Sequence, residues 1–383
     1  MKFERLGNII DIRKGKKPSF VDAPDKNSVR VLQIDDLRND DNLKFTNDKT
    51  GVLANESDVL IAWDGANAGT IGYGRSGFIG STIALLRKKE PELYSTSFLG
   101  VFLQSQYQYL RDKSTGATIP HISRKALEEL RIPVIDIAHQ NHIANLISKA
   151  ENLITQRKES IALLDEFLKS TFLEMFGDCT ANEKNWDKVE LKYFGEIITG
   201  NTPPRNNADN YSSNFIEWIK TDNIPVDDTY ITNAVEYLSE SGLKYARTVE
   251  SGALLVACIA GSIQSVGRAA LTNRKVSFNQ QINAIQPNEE IEPLFLYWMF
   301  KISRKYIQDA ASNGMKKILT KGGFEKIKMI KPPVELQTQF AQIVERTEAL
   351  KTQYQQSLQE LENLYGSLSQ KAFKGELAVK QLA

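Results

Sequence analysis

Cysteine and histidine are nearly missing from this chain of 383 residues, which has two cysteines, Cys179 and Cys258, and three histidines, His121, His139 and His142. Two thiols make neither a disulfide framework nor a four-thiolate zinc site. Only His139 and His142 are close in sequence, and no acidic or thiol partner stands at ligand spacing, so no metal centre is expected. No apolar stretch approaches the ~18 residues of a membrane span. The start, residues 1–17, lacks the apolar core of a signal sequence, and a soluble, cytoplasmic protein is expected. An excess of either charge is missing too: 48 Lys and Arg face 47 Asp and Glu, a net +1. The chain is not generically basic, so any grip on nucleic acid must come from local patches rather than the overall field. What remains is an apolar fraction of 41%, enough for real cores. At about 150 residues per domain, two or three domains are expected.

The chain repeats itself. Leu6–Ile10 is similar to Phe194–Ile198 at an offset of 188, and Gly15 and Pro18 match Gly200 and Pro203 at 185. Val31–Leu37 matches Trp218–Ile224 at 187, and Val59–Gly72 matches Leu254–Gly267 at 195. From Leu127 to Phe176 the offset settles at 197 without a gap, ending at Phe373. That window holds 11 identities over 50 positions, Gln140/Gln337 and Phe176/Phe373 among them. Average composition would give roughly three. Insertions and deletions therefore lie in the first part of each unit, and the second part is fixed in length.

The first part of each unit is rich in short β-type runs, such as Val59–Ala62, Ile83–Leu86, Leu254–Ala257 and Ile282–Ile285, separated by Gly, Asn, Asp and Pro. Helical stretches follow near Ser97–Arg111 and Pro293–Ala311, which reads as α+β. The second part is one long helix without proline. Ile143, Ile147, Ala150, Ile154, Arg157, Ile161, Leu164, Leu168, Thr171 and Met175 fall at alternating steps of four and three, a heptad seam. Ile343, Thr347, Leu350, Tyr354, Ser357, Leu361, Leu364 and Leu368 keep the same spacing. Gly177 and Gly375 stand where a left-handed cap is expected. A helix of about 35 residues spans about 50 Å, too long a stripe for a small domain to cover, so the two helices are expected to pair antiparallel as a coiled coil with the globular parts at opposite ends. The expected boundaries are 1–133 for the first globular domain, 134–180 for the central helix, 181–330 for the second domain and 331–383 for the last helix.

No catalytic constellation is visible: there is no GxSxG, no HExxH and no Walker loop. The glycines of Gly65–Gly72 are not followed by a helix start, and carboxylates such as Asp64 and Asp222 have no visible partner. Local basic clusters do exist. Arg13-Lys14-Gly15-Lys16-Lys17 is the densest; Arg87-Lys88-Lys89 follows a strand; Lys316-Lys317 stands where the first unit has Gly116-Ala117-Thr118. Such cations neutralise phosphates, and Asn, Gln and Arg on the same loops can read base edges. The candidates for DNA contact are Lys14, Lys16, Lys17, Arg75, Lys88, Thr118, Arg205, Lys220, Arg268, Asn279, Gln280, Lys316 and Lys317. The same regions recur in both units with different side chains, as two readers of two different sequences would.

On these residues the chain resembles the specificity subunit of a type I restriction-modification system (the HsdS family). The stretch Thr199-Gly200-Asn201-Thr202-Pro203-Pro204, then Tyr211, then Trp218–Ile224, is similar to that family's Gly-x-Thr-Pro…Trp-Ile…Asp-Ile pattern. Asn279–Ala284 resembles a strand of its recognition domain, and Ile330-Lys331-Pro332-Pro333 through Gln337 resembles its entry into the long helix. The first unit keeps a worn copy, Ile132–Gln140, without the double proline. The resemblance implies two pseudo-symmetric target recognition domains joined by two long antiparallel coiled-coil helices. Each domain would read one half of a bipartite double-stranded DNA site, with the helices as a ruler. Two methylation (HsdM) subunits would bring S-adenosylmethionine and methylate adenine N6, and restriction (HsdR) subunits would bring ATP and Mg2+. The chain itself would hold no cofactor and catalyse nothing. The competing reading is a free-standing DNA-binding or coiled-coil adaptor that works without methylation subunits.

Overall fold

The structure is a computed structural model that describes residues 2–116, 118–259, 263–311, 318–374 and 376–377. It divides into two compact units, one made of Met1–Glu159 with Gln355–Ala383 and the other of Ser160–Tyr354.

The strands of the first unit are β1 (Phe3–Arg5), β2 (Ile10–Lys14), β3 (Val29–Leu32), β4 (Lys44–Thr46), β5 (Leu53–Ala54), β6 (Val59–Ala62), β7 (Ile71–Tyr73), β8 (Gly77–Ile79), β9 (Ile83–Lys88) and β10 (Arg131–Pro133). They form sheets in the orders β2-β9-β6-β7 and β4-β3-β8-β5, with β1 paired to β10. Only β3 and β8 run parallel; the other pairs are antiparallel. Because successive side chains of a strand point to opposite faces, β6 divides itself between two cores. Val59 and Ile61 join the cluster that holds Phe98, Leu99 and Phe102. Leu60 and Ala62 join Leu32, Ile79 and Leu85 on the other face. A strand buried on both faces reads as a continuous apolar run, which is why Val59–Ala62 is legible without alternation.

The second unit repeats this plan. Its strands are β11 (Lys188–Glu190), β12 (Gly195–Thr199), β13 (Ile216–Ile219), β14 (Tyr237–Leu238), β15 (Thr248–Val249), β16 (Leu254–Ala257), β17 (Ala269–Leu271), β18 (Val276–Phe278), β19 (Ile282–Pro287) and β20 (Lys328–Ile330). The orders β12-β19-β16-β17, β14-β13-β18-β15 and β11-β20 match the first unit strand for strand. The ladders also correct one alignment. The Leu6 N–H bonds the Leu130 carbonyl at 2.8 Å, and in the second unit it is Leu191, not Phe194, that makes the equivalent bond, to Ile327 at 2.9 Å. The Ile9 carbonyl accepts from Lys89 as that of Phe194 accepts from Asn288. The true offset there is 185, continuous with Gly15/Gly200, and the shared Gly-x-Ile-Ile wording misplaced it by three residues.

The helical stretches after the sheets are each broken in two, Thr96–Ser105 then Tyr107–Asp112, and Pro293–Ile302 then Arg304–Asp309. The long helices run Ile137–Phe176 and Val334–Lys374, 40 and 41 residues. Each is anchored near its start by one of the repeated glutamines. Gln140 accepts from the Ser95 N–H at 2.7 Å and donates to the carbonyls of Leu93 and Ile135, both at 2.8 Å. Gln337 does the same with the Glu292 N–H at 3.0 Å and the carbonyls of Glu290 and Pro332 at 3.2 and 2.7 Å. Both side chains are fully buried, so their polar atoms must be matched inside the protein. The first helix ends at Gly177, whose φ of +75° is the expected left-handed cap; Gly375 lies outside the described residues.

Within the first unit, the early part of the first long helix runs antiparallel to the late part of the second. Tyr365 donates to Glu151 at 2.8 Å, Lys158 pairs with Glu362 at 2.9 Å, and Phe373 packs its ring on Phe98 and Phe102. Within the second unit, Asp165 pairs with Lys351 at 2.6 Å, and Phe172 and Phe176 pack against Phe295 and Phe340. Along the first helix, Ile143, Ile147 and Leu168 are buried, and Ile154, Ile161 and Leu164 are partly buried. The second helix departs from expectation. Ile343, Leu361 and Leu368 are partly buried, but Leu350 and Leu364 are exposed, at 36% and 50%. The expected seam is kept at Thr347, Tyr354, Leu361 and Leu368, and the covered row that runs through them at heptad spacing is completed by Phe340, Val344, Lys351, Leu358, Tyr365 and Ala372 rather than by Leu350 and Leu364. Lys351 and Tyr365 take seam positions because their apolar bodies pack while their polar tips reach Asp165 and Glu151.

Candidate nucleic-acid interface

Gly200 decides how the first loop of the second unit leaves its sheet. Its N–H bonds Ile282 at 3.0 Å and the next N–H, of Asn201, bonds Phe278 at 3.1 Å. A Cβ there would lie 2.1 Å from the Asn279 carbonyl oxygen, so only glycine fits. Gly15 stands identically in the first unit, with its N–H on Ile83 at 2.9 Å and a Cβ that would lie 2.2 Å from the Gly80 oxygen. The loop after Gly200 then gathers neighbours from three other segments. Arg247 donates to the carbonyl of Thr199 at 2.7 Å and, through its backbone, to Asn201 Oδ1 at 2.9 Å. Trp218 Nε1 donates to the Asn201 carbonyl at 3.2 Å, and the Thr202 hydroxyl donates to the Gln280 amide oxygen.

Among these loops sits a cation–aromatic cluster. The Arg205 guanidinium lies 4.4 Å from the ring centre of Tyr211 and 4.9 Å from that of Trp218, and the Lys220 ammonium lies 5.1 Å over Trp218. Glu236 binds both cations, Arg205 Nη2 at 2.7 Å and Lys220 Nζ closely. The Lys220 hydrogen bond, with Arg205 adding to it against the opposing effect of burial, holds the Glu236 carboxyl below the usual carboxylate range. Arg205 and Gln280 are exposed. Two other candidates turn inward. Asn279 is 5% exposed and spends its amide on a turn, accepting from the Gln281 N–H at 3.1 Å and donating to the Gln281 side chain at 3.0 Å. Arg268 is partly buried and donates to the Thr221 carbonyl at 3.2 Å.

In the first unit, Lys16 and Lys17 are exposed just past Gly15, and Thr118 is exposed on its own loop. Lys14 pairs with Asp64 at 2.7 Å, and His121 Nδ1 reaches the other Asp64 oxygen at 2.5 Å. Burial opposes ionisation of Asp64, but the Lys14 and His121 hydrogen bonds prevail and hold its carboxyl below the usual range. Asp64, read from sequence as an isolated carboxylate, thus has two partners. Arg75 is tied, together with Arg30, to Asp40. Lys88 is not a surface cation: its ammonium donates to the Tyr94 carbonyl at 2.8 Å and to Thr96 at 2.9 Å, and burial lowers its pKa. Lys316 and Lys317 lie outside the described residues. Sequence reasoning missed Glu236, Tyr211, Trp218 and His121 as parts of these clusters. Tyr211 and Trp218 are visible in the sequence only as residues of the family pattern, not as the rings about Arg205, and no sequence signal ties Glu236 to Arg205 or His121 to Asp64.

Among the described residues no helix is long and apolar enough to cross a membrane, and no three His, Cys, Asp or Glu side chains are grouped to hold a metal ion.

The family described as type I restriction modification DNA specificity domain matches residues 1–163 and 183–363. The specificity subunit of type I restriction enzyme MjaVIII from Methanocaldococcus jannaschii is 27% identical over 317 residues, 77% of this chain and 73% of that protein. The HindI specificity subunit of Haemophilus influenzae is 32% identical over 158 residues, 40% of this chain and 33% of its own. In fold, the S subunit of a type I restriction-modification system from M. genitalium matches with a TM-score of 0.60 at 16% identity, covering 97% of this chain and 96% of that one. A chain from work on complex assembly and conformational transition of the type I R-M system matches with a TM-score of 0.57 at 17% identity, covering 98% of each. With the family matched on both repeats and the fold shared over nearly the full length, the chain belongs to the type I restriction-modification specificity subunits, the non-catalytic components that carry DNA specificity in those systems.

Proposed function

We propose that each unit reads one half of a bipartite, asymmetric DNA site, and that the long helices fix the unread spacing between the halves. Two methylation subunits dock on the chain and methylate adenine N6, with the target base flipped out of the duplex. S-adenosylmethionine arrives on those subunits, and ATP and Mg2+ on a restriction subunit. The observation that carries this reading is the duplicated sheet order with equivalent glycine-launched loops whose side chains differ, lysine-rich after Gly15 and mixed after Gly200. Helices of 40 and 41 residues extend about 60 Å at 1.5 Å per residue, a length suited to a spacer. The exposed lysines after Gly15 would neutralise phosphates and make binding salt-dependent. The chain's near-zero net charge fits a subunit that meets DNA within an assembly, where partners supply much of the phosphate grip.

The test is methylome sequencing of cells that express the chain, its methylation subunit, or both. Methylated adenines in a split motif are expected only with both. Tight sequence-specific binding by the chain alone, with no methylation on co-expression, would favour the free-standing adaptor, and an unsplit motif would overturn the bipartite reading.

A further inference from the structure

Three side chains meet at the same place in both units, and their chemistry differs. In the second unit, Arg205 lies five residues past Gly200 and Lys220 two past Trp218. Glu236 stands opposite Trp218, whose N–H donates to the Glu236 carbonyl at 3.0 Å. The same steps in the first unit lead to Phe20, five past Gly15, to Gln33, two past Val31, and to Lys44, the ladder partner of Val31. Val31 and Trp218 are themselves equivalent, since each begins the parallel pairing of its strand, with Phe78 and with Ser277. Both trios are in contact. Lys44 sits 5.4 Å over the Phe20 ring and donates to Gln33 at 2.8 Å, while Arg205 and Lys220 share Glu236. The fold therefore builds one three-residue cluster twice, filled with an aromatic, an amide and an ammonium in one unit and a guanidinium, an ammonium and a carboxylate in the other. Positions that geometry keeps and chemistry changes are where two readers of different sequences must differ.

Arg205 is the member equipped to read a base. Its guanidinium is flanked by the Tyr211 and Trp218 rings and held on one nitrogen by Glu236. Among the described residues Nε and Nη1 make no hydrogen bond. Glu236 uses one hydrogen of Nη2; the other, with a neighbouring N–H, leaves a two-pronged donor edge. A fork already ordered in this way loses little further rotamer freedom on binding. Guanine alone offers two acceptors, O6 and N7, on its major-groove edge.

We propose that Arg205 is a specificity-determining residue of the second unit that donates to guanine O6 and N7, positioned by Glu236 and Lys220, and that Phe20, Gln33 and Lys44 occupy the corresponding place in the first unit. This rests on the reading of one half-site per unit. The test uses the complex co-expressed with its methylation subunit, scored by methylome motif and by binding to duplexes in which each base pair of both half-sites is varied. Arg205→Lys, which keeps the charge and removes the fork, relaxes one G·C position of one half-site by roughly 5- to 150-fold and leaves the other half unchanged. Glu236→Gln relaxes the same position to a smaller degree, and keeps the assay informative if the first variant fails to assemble. An equal loss for every sequence would mark Arg205 as a phosphate contact and overturn the proposal, as would an unchanged base preference in either variant. Failure of the half-site reading is seen separately, as an unsplit motif in the unaltered complex.

Discussion

Gly200 has no room for a methyl group, because the Asn279 carbonyl oxygen would stand 2.1 Å from it. Gly200→Ala must push the loop off the turn between β18 and β19, at a cost of about 2–3 kcal/mol. This is read as a lower urea midpoint with unchanged slope; an unchanged midpoint would contradict the packing described. Glu151 makes a second prediction. Burial pushes its carboxyl above the ordinary value of 4.5, only partly offset by the Tyr365 hydroxyl. The folded state then holds the Glu151 proton more tightly than the unfolded chain, so this contribution is fully present below the ordinary carboxylate pKa and is lost as pH rises through the folded value. Glu151→Gln, which has no proton to lose, should therefore gain melting temperature relative to the unaltered chain as pH is raised from 4 to 7; a relative loss over that range would refute the assignment. Single residues were the least legible level of this protein. Sequence shows that Lys88, Arg75 and Asn279 are polar and near turns, but not that Lys88 bonds Tyr94 and Thr96, that Arg75 meets Asp40, or that Asn279 folds onto Gln281. Arg75 and Asp40 are 35 residues apart, which no local pattern reveals. The identity of Gln140 and Gln337 was visible, yet its meaning as a buried clamp required the carbonyls it bonds.

Elements were more legible, because periodicity records burial directly. Val59–Ala62 and Leu254–Ala257 appear as uniform apolar runs since both faces of each strand are covered. The second long helix shows where periodicity misleads. A seam chosen by its leucines takes Leu350 and Leu364, whereas the covered row takes Lys351 and Tyr365, one residue later. Leu364→Ala should change stability by no more than about 0.5 kcal/mol, as at an ordinary surface site. Tyr365→Ala, which strips a partly buried ring and the Glu151 hydrogen bond, should cost about 2 kcal/mol or more. Denaturant melts of the two variants decide between the rows, and the reverse order would restore the leucine seam. The helices also carry the proposed ruler. Removing one heptad from each together, 154–160 with 351–357, keeps the seam in phase, so the methylated motif should change its spacer or disappear. An unchanged spacer with full activity would end the ruler proposal.

At the scale of the molecule, the repeat was the most legible feature and the chain's path the least. The long, gap-free offset of 197 made the duplication plain, and each copy carries the same order of strands. Nothing local in the sequence indicates that the first unit is completed by Gln355–Ala383, after the chain has built the whole of the second. Phe373 belongs to the core around Phe98 and Phe102, a contact across some 270 residues of chain that only folding discloses. The duplication is also the basis of the central claim, that each unit reads its own half of a split DNA site. The most direct measurement exchanges residues 1–133 for the equivalent segment of another family member, co-expresses the hybrid with its methylation subunit, and sequences the methylome. One half of the motif should change while the other half stays as it was; a change in both halves, or in neither, would contradict the account.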